Sequence, residues 1–257
     1  MNSFLIVLIG AVTGVISAVL GVGGAVIMLP ATQYLMGLDL VMSIGTTLFA
    51  VIFTSISGAL GHLRRGNIKP RMAALLGTGG ITGVLLGSYV FKEYFSKHVF
   101  LLELLLGTLF FFMALRMGKE SVSAWKTRNN KNNDLPASKK MPDYMAIGVG
   151  LLTGTITGIL GLGGGFLMVP ALIWFFAVAP YEAVGTTLLA MVPIALFGGL
   201  AKVYHGYVDL TVGVLLGLGA IGGTQLGAYI STRIKPYVFK LFFTVIFSYL
   251  TINYLLL

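Results

Sequence analysis

Ten apolar stretches, at about residues 4–20, 24–38, 41–61, 72–91, 98–116, 144–160, 164–178, 182–203, 211–231 and 237–257, take up almost the whole chain. Such stretches read as membrane helices, because in hydrocarbon every backbone polar group must be satisfied within its own segment. Composition agrees: 10% of the residues are charged, against roughly a quarter in an ordinary soluble domain. The expected fold is all-α, with polytopic transmembrane helices. A net charge of +9 invites a nucleic-acid reading, but the basic residues lie between the apolar stretches, where membrane topology requires them. The expected partner is the lipid bilayer and not nucleic acid. The chain has no cysteine, which excludes disulfides, thiolate metal sites and iron–sulfur clusters; no cofactor and no metal are expected. Met1–Leu20 lacks the basic start of a signal peptide and its pattern returns at Tyr144–Leu160, so it reads as part of the fold.

The chain repeats itself. Comparing each residue with the one 140 positions later aligns Gly14, Leu20, Gly21, Gly23, Gly24, Met28, Pro30 and Ala31 with Gly154, Leu160, Gly161, Gly163, Gly164, Met168, Pro170 and Ala171, without a gap. Gly45-Thr46-Thr47-Leu48 aligns with Gly185-Thr186-Thr187-Leu188, and Gly79, Gly83 and Gly87 with Gly219, Gly223 and Gly227. Identities held in one register indicate a duplicated unit. The expected organisation is a first transmembrane repeat at 1–116, a linker at 117–143 rich in Asn, Ser, Lys and Pro, and a second repeat at 144–257.

Charge orients the halves, since Lys and Arg beside spans stay on the cytoplasmic side. Arg64, Arg65, Lys69 and Arg71 follow the third stretch, where the second half keeps only Lys202. The next loop reverses the bias, with Lys92 and Lys97 against Arg233, Lys235 and Lys240. A cytoplasmic linker places 14 of the 17 basic residues inside. Equivalent loops then face opposite sides, which makes the halves inverted-topology repeats with both termini outside. The expected location is the cell (inner or plasma) membrane.

The first two stretches of each half are short, roughly 25 and 21 Å as helices at 1.5 Å per residue, against a hydrocarbon core of about 30 Å. Gly21-Val22-Gly23-Gly24 separates them and Pro30 interrupts the second, so broken or re-entrant helices are expected at the GxGG motifs. Short, Gly/Pro-interrupted segments at matching positions of inverted halves point to a transporter's binding site. Gly23-Gly24 and Gly163-Gly164-Gly165 each open a helix whose first amides lack intrahelical partners, and an anion is the natural ligand of that feature. The other reading is that Gly21, Gly23, Gly24, Gly161, Gly163, Gly164 and Gly165 only allow a tight turn and close packing. A nucleotide reading fails, because phosphate-cradling glycine loops join a strand to a helix.

Polar residues within the stretches divide the same way. Thr46, Thr47, Thr186 and Thr187 either bind substrate oxygens or bond their own backbone one turn back. Gln33 and Gln225 either line the pathway or hold helices together. Glu103 is either a proton-coupling group or a carboxylate reaching for the interface. His62, Arg64 and Arg65 fall at the inner mouth and Lys202 at the equivalent outer place, where they draw anions or anchor topology.

Taken together these residues resemble the sulfite exporter TauE/SafE family, also called toluene sulfonate uptake permeases. The resemblance rests on GVISAVLGVGGAVIMLPA and GTITGILGLGGGFLMVPA, each followed by Gly-Thr-Thr, and on His62-Leu63-Arg64-Arg65-Gly66-Asn67-Ile68. It implies a secondary carrier that moves a small sulfur-containing anion (sulfite, thiosulfate, a sulfonate or similar) by alternating access, with the glycine motifs at the core of the site. The chain departs from the pattern at Lys69, where an acid often closes the arginine-rich loop, and at Lys202–Asp209, which replaces that loop in the second half. An anion-selective channel is the first rival, distinguished by flux that does not saturate. An intramembrane enzyme is the second; it would need a nucleophile with a base, or a metal cluster. His62, His98 and His205 fall at span ends and no HExxH occurs, so no catalytic residue is expected. The residues leave open transport direction, coupling to protons or sodium, and oligomeric state, a homodimer included.

Overall fold

A computed structural model describes residues 3–127, 141–230 and 236–256. The described residues form ten α-helices and no strand: α1 Ser3–Leu20, α2 Ala25–Pro30, α3 Leu40–Leu63, α4 Pro70–Glu93, α5 Val99–Thr127, α6 Met145–Leu160, α7 Gly165–Phe176, α8 Pro180–Tyr204, α9 Leu210–Ile230 and α10 Pro236–Leu256. A π-helical turn, Ala31–Leu35, prolongs α2. Six helices are long and apolar enough to cross a membrane, namely α1, α3, α4, α5, α8 and α9. The fold is therefore that of a multi-pass, all-helical membrane protein. The element prolonging α2 ends about 16 Å from Ala25 and α7 spans about 18 Å at 1.5 Å per residue, so neither crosses a bilayer alone. One boundary differs from expectation. α5 runs on to Thr127, because Lys119–Thr127 contains no proline or glycine to stop it. Residues 128–140, the middle of the expected linker, lie outside the described residues.

The chain divides into two compact units, one of α1–α4 with α6–α9 and one of α5 with α10. In the larger unit, α1 lies parallel to α9. A Cβ on Gly219, Gly223 or Gly227 would run into the carbonyls of Val7, Ala11 and Val15, and one on Gly10 or Gly14 into those of Leu216 and Ala220. Glycine every fourth residue makes a flat ridge. Between lipid-facing helices no hydrophobic force operates, and close backbone contact along such ridges supplies the attraction. The pair α4–α6 repeats the scheme, with Gly79, Gly83 and Gly87 on the carbonyls of Ile147, Leu151 and Thr155, and Gly150, Gly154 and Gly158 on those of Leu76, Gly80 and Val84. Each pair thus takes one helix from each half, and the 140-residue offset carries one pair onto the other.

Between these pairs, α3 and α8 run antiparallel and are the most buried of the spans. Gly58 packs on Leu188 and Gly198 on Leu48, while Gly45 and Gly185 abut the carbonyls of Tyr207 and Asn67. The loops after them are tied by exchanged hydrogen bonds. The Asp209 amide donates to Thr46 Oγ1 at 2.9 Å and the Lys69 amide donates to Thr186 Oγ1 at 2.9 Å. Thr186→Val keeps the shape but leaves the Lys69 N–H without its acceptor, an expected loss of about 1–3 kcal/mol. A thermal melt of the purified variant checks this, and Thr186→Ser is expected to restore most of it. In the smaller unit α5 and α10 are antiparallel. Phe110 lies against the rings of Phe247 and Tyr254, with centroids 5.7 and 5.8 Å away, and a Cβ on Gly107 would stand 2.6 Å from Leu255 Cγ.

Candidate functional site

α1 and α6 stop at Leu20 and Leu160, and in each case three glycines turn the chain. Gly21, Gly23 and Gly24 have φ of 72°, 82° and 77°; Gly161, Gly163 and Gly164 have 69°, 75° and 70°. Left-handed backbone costs an L side chain roughly 1–2 kcal/mol per residue, which is why the motif consists of glycine at those places. The next helices then begin. The Gly24 carbonyl accepts from the Ile27 and Met28 amides and the Gly164 carbonyl from those of Leu167 and Met168, all at 3.1 Å. The amides ahead of these bonds form the electropositive helix start.

The two turns meet. Gly165 abuts the Gly21 carbonyl, with its Cβ direction 3.0 Å from Val22 Cα, and a Cβ on Gly163 would lie 3.6 Å from the Val22 carbonyl oxygen. Both turns close on one side chain, because a Cβ on Gly23 would strike the Met191 methyl and one on Gly163 would come within 2.8 Å of it. Val51, which the offset matches to Met191, stands 3.4 Å from both positions. Gly21–Gly24 and Gly161–Gly165 are all buried. Thr54 Oγ1 donates to the Gly23 carbonyl at 2.9 Å. Ser17, whose Cβ would be 3.4 Å from a Cβ on Gly24, keeps a buried hydroxyl with no hydrogen-bond partner among the described groups.

A family model for "Sulfite exporter TauE/SafE" matches residues 6–254. The chain belongs to the TauE/SafE family. Among curated proteins it is similar to the probable membrane transporter protein YunE of Bacillus subtilis (strain 168), 24% identical over 91% of this chain and 90% of that protein. It is 30% identical to a probable membrane transporter protein of Xylella fastidiosa (strain 9a5c), over 87% of this chain and 83% of the relative. A third probable membrane transporter protein, from Methanocaldococcus jannaschii, is 22% identical over 90% of this chain and 87% of its own length. No solved structure matches the chain.

Within this TauE/SafE member the polar residues singled out in the sequence fall into distinct roles. Thr46 and Thr186 use their oxygens as acceptors for loop amides of the other half, a partner that neither sequence reading contained. Thr47 bonds back to the Ser43 and Ile44 carbonyls at 2.8 and 3.1 Å. Thr187 keeps a buried hydroxyl without a partner among the described groups. Gln225 joins α9 to α3, its amide donating to the Ser57 carbonyl at 2.8 Å and to Ser57 Oγ at 3.0 Å. Gln33 lies in the π-helical turn, partly exposed. Glu103 is on α5, in the other unit, and is also partly exposed.

The charged residues at the ends of α3 and α8 divide in two. Arg64 and Arg65 are exposed, and Arg65 Nη1 donates to the Gly61 carbonyl at 2.6 Å. His62 and Lys202 depart from the expected place at a mouth, being 0% and 1% exposed. They sit on the inward faces of the last turns of α3 and α8 rather than on a rim. Lys69, where the family pattern often has an acid, pairs with Glu182 at 2.9 Å. A depression of about 330 Å³, lined by Lys69, Arg71, Asp143 and Phe176 among others, lies at the far end of α7 from the glycine turn. Ser17, Thr54 and Met191 were not found from sequence. Ser17 had a signal, since Thr157 is its counterpart: a hydroxyl stands at that register in both halves although the residues are not identical.

Proposed function

We propose that the chain is a secondary carrier for a small sulfur-containing anion such as sulfite, thiosulfate or a sulfonate. In this reading the halves are inverted across the cell membrane, with residues 117–143 cytoplasmic and both termini outside, and the substrate binds between the two glycine turns. One observation carries it: the two glycine turns, each leading into a helix start, meet at the contact among Gly21, Val22, Gly163, Gly165 and Met191. Helix starts attract negative charge, and broken helices at matching positions of two halves are where transporters hold their solutes. The exchanged contacts of α1–α9 and α4–α6 and the antiparallel α3 and α8 support the inverted arrangement. The tight closure of both turns on Met191 supports alternating access over an open channel, since passage requires the halves to separate there.

The test is uptake of labelled sulfite and thiosulfate into proteoliposomes. Wild type is expected to saturate and to show counter-flow, whereas linear flux without counter-flow would indicate a channel. Gly24→Leu and Gly164→Leu are each expected to abolish saturable uptake, read per amount of monodisperse protein because leucine strains the left-handed backbone at both positions. Normal uptake by both variants refutes the site. Single cysteines at Asn67 and Tyr207 test the topology, and labelling of both from one side of the membrane refutes the inversion.

A further inference from the structure

Lys202 is a buried cation without a counter-charge. Its side chain is 1% exposed and its Nζ has no hydrogen-bond partner among the described groups. No carboxylate pairs with it in the described structure, where the ion pairs are Lys69–Glu182, Arg71–Asp143 and Lys92–Glu93. The ammonium instead stands 2.9 Å from the ring centroid of Phe91 on α4. Phe91 is itself fully buried and meets the Tyr207 ring edge-on at 5.4 Å. One turn earlier on the same face of α4, Ser88 is 3% exposed, and its hydroxyl also lacks a partner among the described groups. This part of α4 packs on the last turn of α6, where a Cβ on Gly158 would lie 2.7 Å from the Ser88 amide nitrogen. Gly158 stands three residues before Gly161, so Ser88 lies about one helical turn from the second glycine turn, and Lys202 meets the same face of α4 at Phe91.

The first half supplies the comparison. The offset matches Lys202 to His62, and Gly158 to Ala18. His62 Nε2 is 2.9 Å from the Ala18 carbonyl, which ties one side of the ring to the end of α1, while its buried Nδ1 has no partner among the described groups. Histidine thus finds one backbone partner at this position, whereas the Lys202 ammonium finds no hydrogen-bond partner among the described groups. An ionisable group buried in a membrane bundle is costly, and such groups mark solute pathways. An aromatic face holds an ammonium by cation–π attraction, but it offers no lone pair. An arriving oxyanion accepts charge-assisted hydrogen bonds that the ring cannot.

We infer that Lys202 is the charge partner of the transported anion, binding it together with the Ser88 hydroxyl at a subsite beside the second glycine turn, with Phe91 holding the ammonium when no anion is present. This rests on the carrier reading above and adds to it a residue that binds the solute's charge. The expected acceptors are the oxygens of a small tetrahedral or pyramidal oxyanion.

The test uses the full chain in proteoliposomes and in detergent, with sodium sulfite and sodium thiosulfate as probes. Lys202→Met is expected to stay monodisperse, to melt no lower than wild type, to raise KM at least tenfold and to lose the anion-induced rise in melting temperature. Lys202→Arg is expected to recover part of the affinity, and Ser88→Ala to raise KM several-fold with Vmax nearly unchanged. Lys202→Gln is the second neutral variant, read the same way if methionine impairs folding. Wild-type KM and a wild-type thermal shift in the neutral variants overturn the assignment while leaving the carrier intact. So does a lowered melting temperature with unchanged KM, which marks a structural lysine. Absence of saturable uptake and of any thermal shift in wild type with both anions instead overturns the carrier reading itself.

Discussion

Replacing Gly83 with leucine is expected to leave almost no folded protein. A Cβ at Gly83 would run into the Leu151 carbonyl and stand 2.8 Å from the Thr155 amide nitrogen, so backbone and not a flexible side chain is in the way. The α4–α6 pair would have to move apart along its whole ridge, because Gly79 and Gly87 share the same contact line. Overpacking typically costs 1–3 kcal/mol, and a rigid backbone obstacle puts the cost at the upper end, about 3 kcal/mol or more. The measurement is the monodisperse fraction after solubilisation, with Gly223→Leu, the match in the α1–α9 pair, as a parallel case. Gly148 and Gly222 are the controls: both are exposed and nothing lies within 4 Å of an added Cβ. Alanine there is expected to change stability by less than about 1 kcal/mol, and favourably, since glycine is the poorer helix former. Equal losses at Gly83 and Gly148 would show that the ridge contact does not hold the pair together.

The second large effect concerns the meeting of the turns. Gly23→Ala must place a side chain at φ 82° and also against the Met191 methyl; Gly163→Ala must do the same at 75°. The backbone term is roughly 1–2 kcal/mol, and the collision adds less than about 1 kcal/mol, because the Met191 methyl is the free end of a flexible side chain that can turn aside. Each variant is thus expected to lose about 2 kcal/mol. Met191→Ala removes the obstacle shared by both. In that background each glycine substitution is expected to cost only the backbone term, a coupling of about 0.5–1 kcal/mol between position 191 and each turn. Additive losses in the thermal melts of this cycle would mean that the turns do not close on Met191.

Much of the fold could be read in the residues because lipid leaves the backbone few choices. Helix breaks at Gly21–Gly24 and Gly161–Gly164 were legible, since glycine runs between apolar stretches have few other uses. The pairing of α1 with α9 and of α4 with α6 was not. A Gly-xxx-Gly ridge announces that a helix will be approached closely, but every such ridge is compatible with every other. The partners of Thr46 and Thr186 were hidden for a similar reason, because each lies in the other half of the chain. Lys202 was placed at a mouth because a lysine near a span end ordinarily reaches water. Its burial follows from α4, whose Phe91 covers the ammonium, a contact that no local pattern records. Glu103 was legible only as an acid in an apolar stretch, since its assignment to the α5–α10 unit depends on how the fifth helices of the two halves find each other.

The exchange of helices between the halves has a bearing on how the protein is made. α1 leaves the ribosome long before α9, which begins at Leu210, and until then its glycine-lined side faces lipid or the insertion machinery. α4 waits a shorter time, for α6. A truncated copy that ended after the first half would present two unmatched ridges, and membrane quality control would have a ready signal by which to recognise it.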